Sequence, residues 1–183
     1  MTDDFDGRLQ PAYRSARFGN QELSLRIRRA QAIEEAREAA RKPAVVFLGN
    51  TASGKSHLAA AALRYRTELD GRTEGKWMIS AVVLAGARAR HPLGEGEAPM
   101  VHAAMTAELL VLDNVGSDLP LQTNPIADIM QVRYDSALPT WVTTWMTLDD
   151  MSTRYGEGVS RRVFERARLI DCGGADWVKE YRK

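Results

Sequence analysis

A chain of 183 residues, 44% apolar and 27% charged, can bury a real core and has the ordinary composition of one globular domain. Its formal net charge of +1 gives no global attraction to nucleic acid or membrane, so any such contact has to be local. With Cys172 as the single cysteine, an internal disulfide and a thiolate metal cluster are excluded; the acidic start Met1-Thr2-Asp3-Asp4 is no signal peptide, and no stretch reaches the ~18–20 apolar residues of a membrane span. A reducing, cytoplasmic location is the expectation.

Residues 1–19 are polar with scattered aromatics (Phe5, Tyr13, Phe18) and read as a partly ordered N-terminal arm before a single domain over 20–183. From Asn20 to about Arg41 the spacing of Leu23, Ile27, Ala30, Ile33 and Ala36 predicts one amphipathic helix. Its charges include Glu34/Arg37 and Glu38/Arg41, spaced to pair along the helix. They read as a solvated face, with a nucleic-acid contact by the Arg26–Arg29 cluster as the alternative.

The apolar run Ala44-Val45-Val46-Phe47-Leu48 predicts a buried strand. After it comes Gly49-Asn50-Thr51-Ala52-Ser53-Gly54-Lys55-Ser56, a match to G-x-x-x-x-G-K-S/T, the phosphate-binding P-loop. Backbone N–H groups of such a loop wrap phosphates, and the helix that follows adds its unpaired donors and positive dipole end. Gly49 and Gly54 permit the turn and the close backbone approach. Lys55 supplies a cation for the β/γ-phosphates and the Ser56 hydroxyl a ligand for Mg²⁺. His57, on the first turn of the helix over about 54–69, packs beside the loop rather than acting as a base. Asp70-Gly71 closes that helix.

A second strand is predicted over Trp77–Val83, then short Ala-rich helical pieces over 84–108, interrupted by the loop His91-Pro92-Leu93-Gly94-Glu95-Gly96. Leu109-Leu110-Val111-Leu112-Asp113 is a third strand. Asn124-Pro125 predicts an N-cap with proline at the first helical position, and that helix carries Ile126, Ile129, Met130 and Arg133 and ends before Pro139. Thr140–Thr144 is a fourth strand, Thr147 caps a short helix that Gly156 stops, Ser160 caps a helix from Arg161 to Ala167, and a last strand surrounds Leu169-Ile170. Apolar strands alternating with helices define an α/β fold with a mainly parallel sheet covered on both faces. Trp77 and Trp141 read as core, and Trp177 as a cap on the sheet edge or a partner contact.

A P-loop requires an acid that holds Mg²⁺ through its water shell, commonly at the end of an apolar strand. Asp113, about sixty residues after the P-loop, is that candidate. His91 and His102 lack the carboxylate or cysteine spacing of a zinc site. No lid with acceptor-binding arginines suggests a small-molecule kinase, and no N-K-x-D-type segment suggests a guanine reader.

Leu109-Leu110-Val111-Leu112-Asp113-Asn114-Val115-Gly116 resembles the L-L-V/I-L/I-D-D/E-L/I/F-G segment of the AAA+ ATPases of the DnaC/DnaI helicase-loader and IstB group. Leu9–Ala16 resembles that family's opening I-P-x-R/Y-Y-x-x-A, Gly54–Ala59 its G-K-S/T-H-L-A, Arg133-Tyr134 with Pro139-Thr140 its R-Y…P-T, and Ser160-Arg161 its S-R. The resemblance spans residue 9 to the C-terminus and implies a P-loop NTPase with an AAA+ core. It further implies sheet order 5-1-4-3-2, little or no C-terminal lid domain, ATP and Mg²⁺ as cofactors, and nucleotide-dependent head-to-tail assembly around or beside nucleic acid. By the same resemblance Arg161 corresponds to an arginine finger that reaches a neighbouring subunit's γ-phosphate, a task its charge and fork geometry suit. A surface arginine in a basic segment is the alternative. Arg88, Arg90 and His91 lie in a region that faces single-stranded DNA in the loaders, or are simply solvated.

Two departures bear on hydrolysis. The residue after Asp113, acidic in most hydrolysing relatives, is Asn114, which orients a water but cannot take its proton. The end of strand four reads Thr143-Thr144-Trp145 where the family has T-S/T-N, so an indole replaces the γ-phosphate-sensing amide. Loss of the acid costs roughly 10²–10⁴ in rate; Asp118, or Thr143 or Thr144 with a neighbouring carboxylate, are the residues that could compensate. The resulting expectation is an ATP-binding factor of the helicase-loader type in DNA replication, a weak ATPase that uses ATP·Mg²⁺ as an assembly or conformational switch. Its partner would be a replicative helicase or another DNA-remodelling protein. An IstB-like transposition helper and a non-hydrolysing, nucleotide-gated regulatory subunit are the alternatives.

Overall fold

The structure, a computed structural model, describes residues 9–27, 29–118 and 124–173. Five parallel strands form one sheet: β1 (Ala44–Leu48), β2 (Lys76–Ser80), β3 (Leu109–Val115), β4 (Thr140–Thr144) and β5 (Arg168–Asp171). Their order is β2-β3-β4-β1-β5, the expected 5-1-4-3-2 read from the other edge. Eight helices flank it among the described residues: α1 (Gln21–Arg26), α2 (Gln31–Ala39), α3 (Lys55–Asp70), α4 (Ala81–Arg90), α5 (Pro99–Thr106), α6 (Ile126–Asp135), α7 (Leu148–Tyr155) and α8 (Glu157–Glu165).

The two-residue period of the strands divides their side chains between two cores. Val45, Phe47, Leu109, Val111 and Trp141 point to the face covered by α1–α3, where Leu58 to Leu63 of α3 are all buried. Val46, Leu48, Leu110, Leu112 and Val142 point to the face covered by α4–α8, against Leu84, Val101, Ile126, Ile129 and Met151. A strand apolar on both sides is what produced the uninterrupted runs in the sequence. Trp141 is fully buried, as expected, with its indole N–H donating to the Lys42 carbonyl; Trp77 is partly buried against the second core.

Several boundaries differ from those predicted. The helix expected over 20–41 is two helices, because Ile27 is extended (φ −89°, ψ 117°) and leaves the α1 axis. The buried set then shifts phase, from Leu23 and Ile27 to Ala32, Ala36 and Ala39, while Ala30 is exposed. Neither Glu34/Arg37 nor Glu38/Arg41 closes as an ion pair; Arg37 lies over the Tyr65 ring instead. Strand β2 stops at Ser80, whose hydroxyl accepts from the Val82 N–H and caps α4, so Val82 and Val83 are helical. Asn124 does supply the capping oxygen for α6, but Pro125 holds the position before the first helical residue. Ser160 lies inside α8 and donates back to the Gly156 carbonyl, so the helix starts at Glu157 rather than being capped there. Phe5, Arg28 and Trp177 lie outside the described residues.

The segment ahead of α1 packs onto α3. Leu9 and Ala16 are buried in the first core, and the buried Arg64 of α3 donates to the carbonyls of Ala16 (3.2 Å) and Arg14 (2.8 Å). No helix among the described residues is long and apolar enough to cross a membrane.

Candidate functional site

The carboxyl ends of β1, β3, β4 and β5 converge on the loop Gly49–Gly54. Gly49 (φ +144°) is needed because a Cβ there would lie 2.6 Å from the Gly173 carbonyl oxygen and 2.8 Å from Ser53 Oγ. Gly54 (φ +88°) is needed because a Cβ would meet Ile27 Cδ1 at 2.5 Å and the Arg26 carbonyl oxygen at 2.7 Å. The break between α1 and α2 is thereby explained: the chain leaves the helix to lay Arg26 and Ile27 on the second P-loop glycine. On the other side Asn50 N donates to the Gly173 carbonyl, and the Arg29 guanidinium pairs with Asp171 at 3.3 Å. The P-loop is clasped between the N-terminal segment and the end of β5.

Within the loop Ala52 takes a left-handed conformation (φ 62°), and Ser53 is fully buried with its hydroxyl unpartnered among the described residues. Lys55 Nζ donates to the carbonyls of Gly49 and Asn50, each at 2.7 Å. Burial lowers the Lys55 ammonium below the ordinary lysine range, opposed by the negative charge of Asp113. A lysine that is partly desolvated gains most by meeting an anion.

Asp113, 2% exposed, lies in the carboxyl half of β3, two residues before the strand ends at Val115. Thr143 Oγ1 donates to its Oδ1 at 2.6 Å and accepts from Asn114 N at 2.9 Å. Thr143, one of the two threonines considered from the sequence, therefore fixes the carboxylate. Tyr13, from the 3₁₀ turn Pro11–Tyr13, is half-buried beside the first turn of α3; burial and then the Asp113 charge raise its pKa. His57 meets the Tyr13 ring edge-on, centroids 5.0 Å apart. Burial, then the nearby Arg26, keeps His57 below its usual pKa, and its Nε2 has no partner among the described residues.

Asn114 is exposed and left-handed (φ 59°), and its side-chain oxygen accepts from Ser117 Oγ at 3.0 Å. Trp145 is 40% exposed, and its indole nitrogen borders Gly116. Asp118 is tied up within the fold. Its side chain is wholly buried, pairs with Arg154, accepts from the Tyr155 hydroxyl at 2.6 Å and from Gly116 N at 3.1 Å, and meets Asn124 Nδ2. That lock ties the chain after β3 to α7. Arg161 is exposed on α8, with no hydrogen bond or ion pair among the described residues. Arg88, by contrast, is engaged by Glu97 and Asp128, and the described part of the Arg26–Arg29 cluster by Glu22, Glu35 and Asp171. These are not free cations awaiting a phosphate backbone.

Glycines that no Cβ could replace, a buried serine hydroxyl without a partner among the described residues, Lys55, and a carboxylate fixed by Thr143 fit a triphosphate with a hydrated Mg²⁺. No cluster of three or more His, Cys, Asp or Glu among the described residues could hold a metal alone, so phosphate oxygens and waters would complete the shell. A cavity of about 250 Å³ between α6 and α8, lined by Met130, Tyr134, Leu138, Val142, Val163 and Arg166, borders the opposite, amino ends of β1 and β4 and is not this site.

Neither a family model nor a curated protein matches the sequence; solved structures do. The chain is 27% identical to the DnaC helicase loader, covering 77% of this chain and 88% of that one with a TM-score of 0.63. DnaI aligns at 17% identity over 80% and 82% of the two chains, TM-score 0.61. AMPPCP-bound DnaA from Aquifex aeolicus aligns at 19% over 80% and 47%, TM-score 0.57. Strand order, P-loop and acidic strand end define a P-loop NTPase with an AAA+ core. Within that class the fold is that of the DnaC/DnaI-like AAA+ ATPases.

The N-terminal and C-terminal walls of the site, Tyr13, Arg26, Ile27 and Gly173, were not read from the sequence. Only Pro11, which sets the turn that presents Tyr13, hinted at any of them.

Proposed function

We propose that this chain binds ATP·Mg²⁺ and serves DNA replication as a helicase-loader-type factor, using nucleotide as an assembly or conformational switch with slow hydrolysis. The observation that carries the reading is an asymmetry within one site. The residues that would hold the nucleotide are in place: Gly49–Gly54 to wrap phosphates, Lys55 to neutralise them, Ser56 and the Thr143-anchored Asp113 to hold the hydrated cation. Bound Mg²⁺ would supply charge neutralisation on the β/γ-phosphates. The position that would draw a proton from water carries Asn114, whose amide oxygen is already committed to Ser117 and cannot act as a base. Trp145 adds only an indole donor, and the buried Asp118 is spent on Tyr155 and Arg154.

The partner in this reading is a replicative helicase, as the likeness to the DnaC helicase loader suggests, and Arg161 reaches the γ-phosphate of an adjacent copy. Its exposed, uncommitted position on α8 supports a role in trans. The test is to mix the chain with a replicative helicase, then with single- and double-stranded DNA, each with and without ATP·Mg²⁺. ATP-dependent helicase capture supports the proposal, and Arg161→Ala should then bind ATP normally as a monomer while losing nucleotide-dependent assembly. Filaments on duplex DNA without helicase capture would replace it with the IstB-like reading.

A further inference from the structure

The cavity between α6 and α8 carries positive charge without the acid that would balance it. It measures about 250 Å³ and borders the amino ends of β1 and β4, at the other end of the strands from the P-loop. Met130 of α6, Val142 of β4 and Val163 of α8 give it apolar walls. Arg133, Arg162 and Arg166 also line it, and neither an aspartate nor a glutamate does. Arg133 is fully buried, and its acceptors are the Thr140 hydroxyl and the carbonyls of Ala104, Met105, Ala107 and Pro139, all neutral. A buried cation ordinarily has an anion beside it; here burial alone lowers the guanidinium pKa, with no acid opposing it. Arg162 and Arg166 are one turn apart on α8 and share a face. Arg162 lies over the Tyr134 ring, 5.3 Å from its centre, and donates to the Gln131 side-chain oxygen. Asp135 accepts from Nε2 of that same Gln131 at 2.6 Å, so an amide stands between arginine and acid. The Arg166 side chain is exposed and makes no hydrogen bond or ion pair among the described residues.

We propose that this cavity binds a small organic anion, a carboxylate on a compact apolar body, with the body against Met130, Val142 and Val163 and the carboxylate at Arg162 and Arg166. The size suits such a ligand. An apolar cavity of roughly 150 Å³ already takes a benzene ring, whereas drug-sized ligands occupy roughly 300–1,000 Å³. The guanidinium fork matches a carboxylate through paired N–H donors. Arg162 is already held by Tyr134 and Gln131, so less ordering opposes binding there. Arg133 needs no contact with the ligand to favour it, because its buried charge acts through a medium of low dielectric. An inorganic anion or a nucleic-acid backbone would satisfy the arginines and leave the apolar walls uncovered; the pairing of walls and charge selects an amphipathic anion. The inference is independent of the nucleotide reading, since the cavity and the P-loop lie at opposite ends of the strands.

The probes are phenylacetate and isovalerate, each beside its uncharged amide, with acetate supplying the charge without the body. Each is titrated against the full chain in the absence of nucleotide, and the backbone amide resonances of residues 130–142 and 162–166 report binding by NMR. At least one of the two larger carboxylates should saturate these resonances. Charge-assisted hydrogen bonds favour it over its amide by about tenfold or more, and acetate should bind more weakly than either. Arg166→Ala removes an exposed side chain, so the fold is kept, and it should weaken the carboxylate by about tenfold while leaving the amide unchanged. Equal affinity for carboxylate and amide, or equal carboxylate affinity in parent and Arg166→Ala, would remove the arginines from the site and overturn the proposal. Acetate binding as tightly as phenylacetate and isovalerate would leave only a basic surface and overturn it too. So would the absence of saturable shifts at these residues with both larger carboxylates.

Discussion

Arg133 offers the sharpest stability prediction. It is fully buried, and burial lowers its guanidinium to about 10. Nη1 donates to the carbonyls of Ala104 and Ala107, each at 2.8 Å, and to Met105 at 3.3 Å; Nη2 donates to Pro139 at 2.6 Å, and Nε to Thr140 Oγ1 at 2.8 Å. One side chain thus joins the end of α5, α6 and the entry to β4. Arg133→Met fills most of the volume but leaves three strongly bonded carbonyls without a donor. At about 1 kcal/mol for each, the loss is about 3 kcal/mol, including the relief of no longer burying a cation. For a chain of this size that lowers Tm by roughly 6–12 °C. Urea unfolding and a thermal melt read both quantities. Nucleotide affinity per folded molecule should be unchanged, because Arg133 serves the amino end of β4 and the P-loop lies beyond the carboxyl ends. A stability loss below about 1 kcal/mol, or normal stability with lost nucleotide affinity, would refute this structural role.

Thr143→Val removes the donor to Asp113 and the acceptor for Asn114 N; stability should fall by about 1.5–3 kcal/mol and Mg²⁺-dependent nucleotide affinity with it, while affinity in EDTA holds. Calorimetric titration in the two buffers checks this, and equal losses in both would contradict it. Asp118→Asn should lower stability by about 2 kcal/mol through the lost ion pair with Arg154 yet leave turnover per folded molecule intact; a drop in turnover would mean that Asp118 acts chemically. Burial pushes the Cys172 thiol up to about 12, so a thiol reagent at pH 8 should label the native chain far more slowly than the urea-unfolded chain. Because the unfolded thiol ionises near 8.5, its burial contributes stability that is complete below that pH and lost as pH rises from there toward 12. Cys172→Ala should flatten the stability profile between about pH 8.5 and 10, and an unchanged slope there would count against the burial argument.

What was legible in the sequence was local and periodic. Runs such as Ala44–Leu48 and Leu109–Leu112 are apolar because both faces of each strand are covered, and their order along the chain fixed the alternating α/β pattern. The P-loop could be read because its chemistry is packed into eight consecutive residues, and Asp113 because it closes an apolar strand. Boundaries set by a distant contact were not legible. Nothing near Ile27 in the sequence signals Gly54, the residue against which the α1–α2 break is made. Ser80 sits in a β-branched run that reads as a longer strand until its capping bond is seen. Asp118 looked like a spare acid because its lock, Tyr155 and Arg154, lies on a different helix. Arg133-Tyr134 with Pro139-Thr140 was visible as a pattern, but its reason, one buried guanidinium holding three carbonyls, exists only in the fold.

The central claim is that the site holds a triphosphate well and cleaves it poorly. The most direct measurement is ATP·Mg²⁺ binding by titration calorimetry on the parent and on Lys55→Ala, with steady-state phosphate release recorded on the same samples. Saturable binding by the parent, binding weakened at least tenfold in Lys55→Ala, and turnover below about 1 s⁻¹ are expected. No binding by the parent, or turnover well above that rate, would contradict it.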